Sequence, residues 1–153
     1  MDPLNRLILA LEENIPHHHL VHPDISKASV GWHIAHSFLT MEQVINMISK
    51  SNPGQYHPKS GLLKSVILLF GKIPRGKGRA PLSVQPKNEF TVENLQLQAD
   101  HAKGSILLLD TLSVNHFFDH PYFGNLNLKP TRRFLYVHTN HHVSIVRDIV
   151  KKH

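Results

Sequence analysis

PTRRFLYVHTNHHVSIVRDIV, Pro130 to Val150, is the stretch on which the fold turns. Pro130 suits the first turn of a helix, where its preset φ helps and its missing N–H is not needed. Behind it, Leu135, His138, His142, Ile145 and Ile149 step by three, four, three and four, so one helical face carries them all. Two imidazoles thus continue an apolar stripe into the core, where each polar nitrogen needs a partner or costs about 1–3 kcal/mol. Side chains four apart on a helix start about 5–6 Å from each other, so one divalent ion can satisfy both rings. The plain alternative is a pair of hydrogen-bonded core histidines, and a third ligand decides between the two readings. His18/His22 and His116/His120 share the spacing, but Pro16, Pro23 and Pro121 interrupt the helices they would need.

Working back along the chain, helix one is expected from Asp2, with Pro3 at its first position and Leu4, Leu7, Ile8 and Leu11 on one face. PHHHLVHPD, between two prolines, reads as a loop. Ser26 or Ser29 caps a second helix that runs to about Asn52 and carries Val30, Ile34, Met41, Ile45 and Ile48 at helical spacing. This helix offers two candidates for a third imidazole. Either His33 or His36 can reach the axis, and periodicity does not choose: His33 lies with Val30, Met41 and Val44, His36 with Trp32 and Leu39. A short helix is expected at 60–72, then an extended crossover, IPRGKGRAPLSVQPKNEF. Thr91 caps the third helix, with Glu93 in its first turn and Leu95, Ala99, Ala102, Ile106 and Leu109 as its stripe. NHFFDHPYFGNLNL, at 115–128, reads as an aromatic loop. No segment alternates convincingly as a strand. The expected fold is all-α: an antiparallel four-helix bundle with a long crossover between helices two and three, one domain over 1–153.

Composition narrows the chemistry. At 153 residues, with 41% hydrophobic and 18% charged residues, the chain is long enough to bury a core and far from disordered compositions. It has no cysteine, so thiolate metal sites, disulfides and cysteine nucleophiles are excluded and His, Asp and Glu are the strong ligands left. The N-terminus lacks a secretory pattern, and the apolar run at 66–70 is far short of the roughly 20 residues of a membrane span, so a cytoplasmic address is expected. The formal charge of +6 is local: Lys59, Lys64, Lys72, Arg75, Lys77, Arg79 and Lys87 give +7 between Gln55 and Asn88, without one acidic residue, so the remainder sums to −1. The basic loop at 72–79 can contact an anion, but it lacks the stacking aromatics that single-strand binders use, which argues against nucleic acid.

WHIAH at 32–36, IPRGKGRAP at 73–81, HPYFGNL at 120–126 and HTNHH at 138–142 resemble the DinB-like superfamily, the DinB/YfiT-like metalloenzymes, and within it a branch of small bacterial proteins. The resemblance spans nearly the whole chain. It implies the four-helix bundle, a homodimer, and a metal site built from one histidine of the second helix and the HxxxH pair of the fourth: His36, His138 and His142. Characterised relatives include thiol S-transferases, isomerases and hydrolases, which implies a small-molecule substrate such as a thiol. Several relatives carry Gln three residues after HxxxH. Here that place is Ile145, so that polar contact is missing.

All-imidazole donors suit zinc or nickel. An ion with three histidines and an open position supports hydrolysis or thiol transfer. Such chemistry also wants a base, and no carboxylate lies on the His138/His142 stripe. Glu42 and Gln43 lie one to two turns beyond His36, and Asn140 or His141 can touch the rim. Catalytic residues are therefore unassigned. A metal-dependent hydrolase or transferase stands beside two other readings: a non-catalytic metal-binding or interaction protein, and an anion-binding module using the basic loop.

Overall fold

The computed structural model describes residues 2–58, 68, 70–75, 80–87 and 89–153. Its helices start where capping side chains are available. Asp2 accepts the N–H of Leu4 at 2.6 Å and opens α1, Pro3–Glu12, with Pro3 in the first turn. Ser29, not Ser26, caps α2, Val30–Ser49, accepting the N–H of Trp32 at 3.1 Å. Thr91 accepts from the N–H of Asn94 and opens α3, Val92–Leu108, which tightens into a 3-10 turn at Leu109–Thr111.

The last helix, α4, spans Leu128–Val150 and starts before the proline expected to open it. Pro130 falls at the third helical position, where a backbone N–H still has no intrahelical acceptor, so the ring costs the helix nothing there. The short helix expected over 60–72 falls mostly outside the described residues, and positions 76–79 of the crossover lie wholly outside them. Among the described crossover residues, Leu82–Val84 form a 3-10 turn.

The expectation of an all-helical chain is corrected at 115–128. The aromatic stretch forms a two-stranded antiparallel hairpin, β1 (Phe117–His120) and β2 (Gly124–Asn127), with Phe118 opposite Leu126 and His120 opposite Gly124. Gly124, at φ 64°, takes the left-handed conformation that closes the turn. Phe118 and Leu126 are both buried and hold one face of the hairpin on the core. Thr131 Oγ1 donates to the carbonyl of Leu126 at 2.8 Å and ties the hairpin to α4.

The molecule is thus mostly helical with a small sheet. α2 packs against both α3 and α4, and α1 lies against α3 and α4. One contiguous apolar cluster draws on α1, α2, α3, α4 and the hairpin, with Ile8, Leu11, Ile34, Phe38, Ile45, Leu95, Ile106, Leu135 and Ile149 essentially sealed from solvent. Each such side chain contributes about 1.5–3 kcal/mol of transfer free energy. The helical stripes read from the sequence are the buried faces, and they bring α2 and α4 together along the line that carries the histidines. No helix among the described residues is long and apolar enough to cross a membrane.

Candidate metal centre

His36 from α2 and His138 and His142 from α4 converge, each offering one ring nitrogen within 4.8 Å of the others. The ring centroids form a nearly even triangle: 5.0 Å for His36–His138, 4.7 Å for His36–His142 and 4.7 Å for His138–His142. His36 Nε2 lies 3.2 Å from His138 Nε2. Imidazole nitrogens about 2.0–2.1 Å from a tetrahedral ion sit about 3.3 Å apart, so this pair already has the spacing of two ligands sharing one metal.

The outer nitrogens bear on the fit. His36 Nδ1 is 2.7 Å from the carbonyl of Val84 and can only donate to it. The proton of the neutral ring is therefore on Nδ1, and Nε2 presents a bare lone pair to the cluster. Without an ion, His138 must be the donor across the 3.2 Å contact, and its own Nδ1 is left buried with no partner among the described residues. His138 has some surface exposed, but that nitrogen is enclosed. His142 Nδ1 lies 2.9 Å from His33 Nδ1, and His33 Nε2 lies 2.9 Å from Ser26 Oγ. Trp32 stacks on the ring of His36 at 4.8 Å and nearly parallel.

Electrostatics keeps these rings neutral, as metal ligands must be. Burial, then the neighbouring imidazoles of His36, His141 and His120, hold His138 well below the usual histidine range. His142 is held down in the same way by burial and by His138, His36, His33 and His141. Burial lowers His36, partly offset by its bond to Val84, and lowers His33 to about 4. The three-histidine group can hold a metal ion, and no carboxylate belongs to it among the described residues.

The other candidates fall elsewhere. His33, which periodicity could not separate from His36, lies behind His142 and outside the triad. His141 stands half-buried at the rim, its ring 5.1 Å from that of His142. Glu42 faces α3, its carboxylate 3.6 Å from His101, and burial pushes its pKa up. His22 and His116 are not drawn into the triad, and His120 lies in the hairpin, stacked on Phe123 at 4.2 Å. In the basic loop, Arg75 is tied to α4 through Asp148 at 2.7 Å and Ser144 at 2.8 Å. The sequence reading missed the Val84 carbonyl, which as a backbone group leaves no mark in residue types, and the pairing of His33 with His142. In comparisons with known proteins, no family model, no curated protein and no solved structure matches this chain.

Proposed function

We propose that the chain is a metal-dependent enzyme of the hydrolase or thiol S-transferase type, built as a single-domain antiparallel four-helix bundle of the DinB kind, with zinc or nickel held by His36, His138 and His142. The observation that carries this reading is the 3.2 Å approach of two Nε2 atoms whose rings come from different helices, one of them already committed to Val84 through its other nitrogen. A bound ion with three imidazole donors supplies Lewis acidity at its remaining position. The chain's own contribution is to orient three neutral rings, exclude water with Trp32 beside His36, and keep His141 at the rim, where its imidazole can exchange a proton with a small-molecule substrate. A homodimer belongs to the same reading and rests on the resemblance alone.

A second reading has its own support. Glu42 is turned toward α3 and, among the described residues, no carboxylate joins the group, which favours a protein that binds metal without turning anything over. Metal content separates both readings from a metal-free core. Untagged protein analysed by elemental mass spectrometry is expected to carry about one ion per chain, lost in His36→Ala and His138→Ala. Protein that stays metal-free after incubation with zinc and nickel overturns both. A metal-replete protein inactive toward thiol-transfer and ester substrates favours the second.

A further inference from the structure

We propose, on the basis of the metal reading above, that His33 is a positioning residue for the ligand His142, and that Ser26 anchors His33 in turn. A neutral imidazole that gives a lone pair to an ion through one nitrogen must carry its proton on the other. For His142, Nδ1 faces His33, which leaves Nε2 for the ion. At 2.9 Å, two bare nitrogens repel and two N–H groups collide, so one proton lies between the rings.

Two arrangements satisfy that contact. In one, His33 donates from Nδ1 and His142 is left with its proton on Nε2, where it blocks ligation. In the other, His142 donates from Nδ1, His33 accepts, and the proton of His33 is on Nε2, which then donates to Ser26 Oγ at 2.9 Å. Ser26 has the capacity for this: its oxygen also accepts the N–H of Ala28 at 3.1 Å, which fixes where the second lone pair lies. Only the second arrangement gives His142 a lone pair on Nε2, so the chain His142–His33–Ser26 sets both the tautomer and the ring orientation of a ligand.

Among the described residues the outer partners of the centre are uncharged: a backbone carbonyl behind His36 and an imidazole behind His142. A carboxylate in the place of His33 would offset part of the ion's charge. An imidazole leaves it intact while still directing the ring.

The test uses the full-length protein with zinc, measured by competition with a chelator, and cobalt(II), read by its visible absorption. In His33→Phe the ring volume is kept and the acceptor lost, and zinc affinity is expected to fall about 10–100-fold with a changed cobalt spectrum. Asn places an amide oxygen near the position of Nδ1, so His33→Asn should recover most of the affinity and the spectrum, whereas His33→Gln, with its amide one carbon farther out, should not. Ser26→Ala is expected to weaken binding by several-fold. Unfolding of the metal-free variants is followed in parallel, because a purely structural role would lower stability in Phe, Asn and Gln alike without this order of metal affinity. If His33→Phe does not fold, the Asn and Gln pair decides. Unchanged zinc affinity and cobalt spectrum in His33→Phe, or Asn and Gln variants equally impaired, would overturn the proposal. Wild-type protein that takes up neither ion overturns the metal reading first, and this inference with it.

Discussion

His33, His36, His138 and His142 share one physical predicament: each is packed among other imidazoles, and each has its pKa lowered from the usual 6.5. In the unfolded chain the same rings titrate near 6.5, so below that pH the unfolded state binds more protons than the folded one. Stability is then fully present above about pH 7 and is lost as pH falls from about 6.5 toward 4, the value to which His33 and His120 are lowered. The urea midpoint of metal-free protein is expected to drop steadily between about pH 7 and about pH 5. A flat profile over that range would mean that the rings are hydrated in the folded state. At this scale the sequence was partly legible. His138 and His142 announced themselves by continuing an apolar stripe, whereas His33 and His36, three apart, are both buried and both reach α4, and only the structure shows that His36 meets His138 and His142 together while His33 stands behind His142.

Among the elements, α2 and α3 each contain a glycine whose replacement by alanine has an opposite expected sign. A Cβ on Gly31, in the first turn of α2, would lie 2.8 Å from Phe90 Cβ and 3.0 Å from the carbonyl of His18. The helix-propensity gain of about 1 kcal/mol is outweighed by an overpacking cost of about 1–3 kcal/mol, since neither neighbour is a flexible tip. A Cβ on Gly104 of α3 meets nothing within 4 Å, and Gly104→Ala is expected to stabilise by about 1 kcal/mol. Urea midpoints of the two variants on opposite sides of wild type would bear this out. Helix starts were readable because Asp2, Ser29 and Thr91 carry side-chain oxygens that cap before apolar periodicity begins. The hairpin was not. Each strand has four residues, too few for alternation to stand out, and Phe117, Phe118, Tyr122 and Phe123 blur what pattern there is.

For the whole molecule, an ion that binds the folded chain and not the unfolded one stabilises by mass action. If the group binds zinc or nickel as proposed, the ion at about one hundred times its dissociation constant is expected to add about 2.7 kcal/mol, or about 5–10 °C in unfolding temperature for a chain of this size. A chelator should reverse the shift, and His138→Ala should not show it. An unfolding temperature indifferent to both metals would place the histidines among ordinary core residues. The helical architecture was legible at this scale because four stripes bury one another. The three histidines named from the sequence do come together, but the outer partners Val84 and Ser26 were not legible, since they come from the segments on either side of α2.

Those sequence separations bear on the order of events in synthesis. His36 meets His138 across 102 residues, and His33 meets His142 across 109. A ribosome-bound chain can wind α1 and α2 and hold its first imidazoles ready, yet it retains no ion at this centre until α4 has emerged and docked. Any ion this group holds is therefore captured only after α4 has folded onto α2, because a growing chain stalled before α4 lacks two of the three imidazoles.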